Sequence, residues 1–226
     1  MAEASLEIEG LEYAYAGAGG FVLRVSSLRL DRGEDVLLVG KSGEGKSTLL
    51  HLVAGLLDPE AGEVRVAGRA IHRLVGAARD RYRADHVGMI FQTHHLLHGF
   101  TAVENVMTAL AFSHVPPAEH RGRARGLLDR LGIDRHDAMP DGLSIGQQQR
   151  VAIARALACE PELVLADEPT ASLDPESAAE AVDLLRSACR ERRAALLCVS
   201  HDPTLVERFS RVATLADLAA ASRAGV

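Results

Sequence analysis

The sequence predicts an α/β fold in which a parallel sheet forms the core, an antiparallel β part precedes it and an all-α segment is inserted into it. Three observations predict this. Leu6 to Tyr15 and Phe21 to Leu30 alternate apolar and polar residues on either side of a turn at Gly17 to Gly20, as two half-buried antiparallel strands would. Asp35 to Val39, Leu163 to Ala166 and Ala194 to Ser200 are instead short continuous apolar runs, the pattern of strands covered on both faces. Between Thr93 and Cys159 the texture becomes helical. Residues 1–92 and 160–226 are therefore expected to form the core and 93–159 a helical subdomain, all within one domain.

The remaining elements follow in order. Ser47 to Leu57 carries helical periodicity through Leu49, Leu50, Leu52, Val53, Leu56 and Leu57. Gly62 to Ala67 and Val87 to Phe91 are further strand candidates, and Val103 to Phe112, Ala118 to Leu131 and Ile145 to Ala158 are the helices of the insertion. Glu176 to Arg192 is a helix between two apolar strands, which makes a right-handed parallel crossover. The Ala-rich tail beyond Leu218 is expected to fray.

Bulk properties exclude several classes. A net charge of −6 offers no basic face for nucleic acid. Absence of Trp and an aromatic content of 4% argue against an aromatic-caged binding module. Cys159, Cys189 and Cys198 are widely spaced in apolar or helical settings and read as reduced packing residues of a cytosolic protein. The segment Met1 to Ser5 lacks the apolar stretch of a signal peptide, and no apolar run approaches the roughly 18 residues that cross a bilayer. The chain itself is expected to stay in water.

Gly40-Lys41-Ser42-Gly43-Glu44-Gly45-Lys46-Ser47-Thr48 fits G-x-x-x-x-G-K-[ST] directly after a strand and before a helix. Glycines let successive backbone N–H groups curl around phosphate oxygens, and the helix N-terminus adds partial positive charge at the same point. Lys46 supplies a full charge to the β and γ phosphates of ATP, and Ser47 offers a hydroxyl to Mg²⁺. Glu44 introduces a charge that is unfavourable beside a polyphosphate unless it points to solvent.

The run Leu163-Val164-Leu165-Ala166-Asp167-Glu168 is a buried-type strand ending in two carboxylates. Asp167 suits the magnesium ion. Glu168, on the opposite side by strand alternation, can orient or deprotonate a water for in-line attack. His201 follows another strand of the same sheet and should share its carboxyl rim, within reach of a γ-phosphate or a water. Asp202 and Pro203 then read as the N-cap and first residue of a helix. The His94-His95 pair and the other histidines show no metal-ligand spacing.

Leu143-Ser144-Ile145-Gly146-Gln147-Gln148-Gln149-Arg150 resembles the LSGGQ signature of ABC-type ATPases. That resemblance places the rest of the family's motifs in order over essentially the whole chain and implies a P-loop NTPase core. Tyr15, about 25 residues before Gly40, falls where the family stacks an aromatic ring on adenine. Gln92 occupies the Q-loop position, which joins core to helical lobe and contributes to the metal and the catalytic centre. Ala171-Ser172-Leu173-Asp174 matches the D-loop, and His201 the switch histidine. Ser144-x-x-Gln147 has capping-box form, which alone means an ordinary helix cap. The resemblance adds that Ser144, Gly146 and Gln147 face the γ-phosphate held by a second copy, so that two chains pair head to tail with ATP between them. Ile145 stands where the signature usually has glycine, and its β-branched side chain crowds the approach to phosphate.

Ser47 to Leu52, Phe91 to Leu97 and Phe100 to Val106 look most like the lipoprotein-release, macrolide-export and cell-division branch. Members of that branch work beneath separate membrane subunits, so the resemblance implies an ATPase at the cytoplasmic face of the membrane. The Gln92 to Phe112 region either helps form a groove for a partner's short helix or supplies lobe core. Arg121, Arg123 and Arg125 read as a solvated face. A soluble role in translation or repair would call for a second such domain or long coiled coils, and neither is present; Glu168 and His201 weigh against a non-hydrolysing scaffold.

Overall fold

The computed structural model describes residues 4–15 and 22–220. The predicted turn at Gly17 to Gly20 and the last six residues of the tail lie outside the described residues. In chain order the elements are β1 (Ala4–Ala14), β2 (Val22–Asp31), β3 (Asp35–Val39), α1 (Lys46–Val53), β4 (Ala61–Val66), β5 (Arg69–Ala70), α2 (Ala77–His86), β6 (Val87–Ile90), α3 (Ala102–Leu110), α4 (Pro117–Arg130), α5 (Ile145–Leu157), β7 (Leu163–Asp167), α6 (Pro175–Glu191), β8 (Ala195–Ser200), β9 (Arg211–Thr214) and α7 (Leu215–Ala220). Strands β2-β1-β4-β5 form an antiparallel sheet, and β6-β7-β8-β3-β9 a parallel one.

The continuous apolar strands feed two cores by simple alternation. In β7, Leu163 and Leu165 face the antiparallel sheet and α1, while Val164 and Ala166 face the helical side. In β8, Leu197 and Val199 take the first side and Leu196 and Cys198 the second. Each fully buried leucine contributes roughly 1.5–3 kcal/mol by leaving water, so strands apolar on both faces can only be central. The first core is a sandwich with α1 between the two sheets; the second joins the parallel sheet to α3, α4, α5 and α6. The three cysteines are free and buried, and burial pushes the Cys189 thiol up to about 12.

A buried ion cluster pins the amino end of β3. Asp35, 4% exposed, accepts from Arg186 (2.8 Å) and Arg190 (3.0 Å) of α6, and from the Ser210 amide (3.2 Å) ahead of β9. Burial works to raise the Asp35 carboxyl, but the Ser210 and Arg186 hydrogen bonds outweigh it and hold the group below the ordinary carboxylate range. Arg121 and Arg125 reach Asp137, and Arg123 reaches Glu160, in ion pairs on the outer face of α4. Among the described residues no helix is long and apolar enough to cross a membrane.

One local expectation is corrected, and the helix expected after Asp202 and Pro203 is found in 3₁₀ form. Helix α1 stops at Val53 rather than Leu57, because the chain turns through Gly55 at φ +68° and Leu56 N–H returns to His51 O. The segment after Asp202 is a 3₁₀ helix, Pro203–Arg208, capped by the Asp202 carboxylate on Thr204 N–H (2.9 Å). Ala219 and Ala220 belong to α7, which Thr214 and Asp217 cap by exchanging side-chain and backbone hydrogen bonds (2.8 and 3.1 Å).

Candidate active site

The site grows from the way β3 ends. After Val39 the chain passes through Gly43 (φ +82°) and Gly45 (φ +101°), left-handed conformations that glycine adopts without strain, and Gly45 becomes the N-cap of α1. No side chain caps this helix, so its first-turn N–H groups face an open cleft. Lys46, 6% exposed, folds over the loop and donates to Gly40 O (2.8 Å) and Lys41 O (2.7 Å), leaving one ammonium proton for an incoming anion. Buried ammonium and helix amides together make an anion cradle. Glu44 is exposed to solvent, as a charge beside a polyphosphate requires. Its carboxylate lies back over the loop, where a Cβ on Gly40 would come within 2.3 Å of Oε2. The obstruction is the free end of a flexible side chain and is displaceable.

The parallel sheet brings the second half of the site to this cradle. Ser47 Oγ donates to Asp167 Oδ1 at 3.0 Å across 120 residues of sequence. Burial pushes the Asp167 carboxyl above its ordinary range and the Glu168 charge adds to this, against the lowering effect of the Ser47 bond. A buried carboxylate and a hydroxyl converging beside a second carboxylate are hard oxygen donors, which fits Mg²⁺.

Glu168 does not continue the strand alternation. Its φ of +47° is left-handed, a conformation that costs a non-glycine residue about 1–3 kcal/mol and clusters at functional sites. The turn carries its side chain to β8, where Oε2 accepts from Ser200 Oγ (3.2 Å) and His201 N–H (3.3 Å), and Oε1 meets His201 Nδ1 at 2.8 Å. Carboxylate and imidazole thus form one unit on the rim. His201 is exposed and Glu168 largely buried, so the pair can take a proton at the carboxylate and steady it through the ring.

Around these groups lies a cleft of about 1370 Å³. Gln92 lines it from the end of β6, and residues 40–48 form its floor. Tyr15 lines the far side, half-exposed, with its hydroxyl 3.1 Å from Thr48 Oγ1 and its ring edge-on to Tyr13. The opposite wall was missed from sequence: Thr214, Leu215, Ala216 and Ala219 of β9 and α7 complete the cleft. The Thr214-x-x-Asp217 cap was the available signal for that helix.

Ser144, Gly146 and Gln147 are placed elsewhere. Ser144 Oγ accepts from Gln147 N–H (3.2 Å) while Gln147 Oε1 accepts from Ser144 N–H (3.0 Å), a complete capping box at the tip of α5. None of the three lines the cleft, and Ile145 beside them is 52% exposed. Within one chain the structure therefore unites Tyr15, Gln92, the loop, Asp167, Glu168 and His201, and leaves the signature outside.

Known proteins share this fold and much of this sequence. The sequence model of the ABC transporter family matches residues 23–171. The lipoprotein-releasing system ATP-binding protein LolD of Maricaulis maris is 46% identical over 221 residues, 96% of either chain. LolD of Gluconobacter oxydans is 46% identical over 218 residues, 94% of either chain. Among solved structures, the dimeric post-hydrolysis state of the ATP-binding cassette MJ0796 bound to ADP and phosphate superposes with a TM-score of 0.79 at 32% identity, covering 95% of both chains. The cbiO1 component of the cbiONQ transporter complex from Clostridium perfringens gives 0.82 at 30% identity, over 94% of this chain and 84% of that one. With 149 residues under the family pattern and relatives aligned over nearly the full length, the chain belongs to the ABC transporter family, as an ATP-binding and ATP-hydrolysing subunit of the LolD-like branch.

Proposed function

We propose that this chain hydrolyses Mg²⁺-ATP as one half of a head-to-tail homodimer and drives a separate membrane subunit from the cytoplasmic face of the membrane, in lipoprotein release or a related export. The observation that carries the reading is the meeting of Ser47 and Asp167 beside the Glu168–His201 unit, all on the rim that holds Lys46. In this reading residues 40–48 and Lys46 bind the phosphates, and Tyr15 stacks on the adenine. Ser47, Asp167 and Gln92 hold Mg²⁺, which when bound neutralises phosphate charge. Glu168 orients the attacking water and accepts its proton, with His201 holding the carboxylate in place.

The exposed position of Ser144, Gly146 and Gln147 supports the dimer. A capped helix tip outside its own chain's cleft is available to a second chain's phosphates. The relatives' place in lipoprotein-releasing systems supports the membrane partner. So does a groove of about 980 Å³ beside Gln92 that is lined by Phe91 and exposes Leu97 and Phe112, and would accept an amphipathic helix.

Glu168→Gln tests this chemistry. The amide keeps the side-chain shape but cannot take the proton, so ATP affinity should persist while turnover falls by about 10²-fold or more and ATP-bound dimers accumulate. Hydrolysis by that variant at the parent rate would show that the chemistry is misassigned.

A further inference from the structure

Nine residues lie between Gln92 and Ala102, the start of α3, and two helices of the lobe grip that loop. Asn105 of α3, fully buried, accepts from Leu97 N–H (2.7 Å) and donates to Leu97 O (3.2 Å) and Phe100 O (3.0 Å). Arg155 of α5 donates Nη2 to His94 O and Nη1 to His95 O, each at 2.6 Å. Two consecutive carbonyls can face one donor only where the chain kinks, and His95 is left-handed at φ +46° with its ring stacked 4.9 Å from Phe91. A planar guanidinium fork suits such a pair of acceptors, whereas a lysine ammonium is a point charge. The loop is thus held from α5 by Arg155 at His94 and His95, and from α3 by Asn105 at Leu97 and Phe100.

Arg155 thereby ties two parts of the proposed site that do not touch each other. Its grip lies two residues from Gln92, which lines the cleft. Its helix begins at Ser144, eleven residues away, about 16 Å along the axis. Residues 94 and 95, next to Gln92, are thus hydrogen-bonded to the helix that carries the signature tip. We propose that Arg155 is a positioning residue that keeps Gln92 and Ser144 in register, so that loop movement at the nucleotide becomes movement of the helix tip offered to the second chain. This rests on the reading that Gln92 and Ser144 serve the nucleotide.

The test compares Arg155→Ala and Arg155→Lys in the full chain, with ATP affinity, kcat, KM and nucleotide-dependent dimerisation (in the Glu168→Gln background) measured separately. For Arg155→Ala the expected result is unchanged ATP affinity, a kcat lowered about tenfold or more, and weaker dimerisation, as sub-ångström misplacement in a shared site produces. Lysine, lacking the fork, should restore only a minor part of kcat, and it carries the test should the alanine variant fold poorly. Parental kcat in the alanine variant, or full recovery with lysine, would overturn the proposal. So would a loss confined to thermal stability and active fraction with kcat per site unchanged. Should Glu168→Gln block turnover while Arg155→Ala does not, the positioning role fails and the proposed chemistry stands; hydrolysis by Glu168→Gln removes the chemistry itself.

Discussion

At the scale of single residues, the two oxygens of Ser47 and Asp167 meet because a helix start and a strand end converge on one rim, and neither is optimally placed without the other. Burial raises the Asp167 carboxyl, and the Ser47 hydroxyl works against that shift by hydrogen-bonding the charged form. Ser47→Ala should therefore shift the Mg²⁺ midpoint of hydrolysis upward by roughly tenfold, while Ser47→Thr, which keeps the hydroxyl, should shift it far less. A Mg²⁺ titration in which the alanine variant matches the parent would sink this assignment. The loop, the acidic pair and His201 were legible in sequence because phosphate chemistry demands fixed residue types at fixed spacing after apolar strands. Arg155 was not: one arginine in a helical pattern carries no sign that its guanidinium reaches carbonyls 60 and 61 residues earlier. The fold of Glu44 over Gly40 and the left-handed turn at Glu168 were hidden for a related reason, since both are settled by neighbours and not by local preference.

Among the elements, those with an apolar face were readable and those without one were not. Helix α2 has no buried residue and no apolar stripe to read, although Asp80 and Arg83 pair along it; β9 is four residues long with one buried side chain. One strand instead shows why a particular residue type is required. Gly88 in the middle of β6 lies under α5, and a Cβ there would sit 2.3 Å from Ala156 O and 3.1 Å from Pro161 Cγ. The nearer clash is with backbone, so it cannot be relieved by a rotamer change; the helix must lift from the sheet. Gly88→Ala should then cost about 1–3 kcal/mol, seen as a lower denaturant midpoint with an unchanged slope. An unaltered midpoint would mean that α5 is not seated as closely on β6 as the structure has it.

The whole molecule separates cradle from signature: the parallel sheet places Lys46, Asp167, Glu168 and His201 on one rim, while the helical lobe carries Ser144 to an exposed tip. In the proposed dimer that tip must approach the other chain's phosphates closely enough for first-turn N–H groups to act on them. Ile145, the first residue of α5, puts a branched side chain at this point and leaves 52% of its surface in water. Two effects then oppose each other on closure. Burying the isoleucine would favour pairing by at most roughly 1.5–3 kcal/mol, reduced by whatever surface stays wet. Keeping a helix terminus away from a polyphosphate forfeits several charge-assisted hydrogen bonds, each about twice as strong as a neutral one. The second effect is the larger, so Ile145→Gly should tighten ATP-dependent dimerisation or raise turnover per site, even though glycine weakens the helix start by about 0.5–1 kcal/mol. Light scattering of the Glu168→Gln protein with and without this second substitution, together with ATPase rates in the parent background, measures both. If neither quantity moves, the isoleucine does not stand between the tip and the phosphates. If dimerisation weakens, it is a contact of the interface and the crowding argument is wrong in sign.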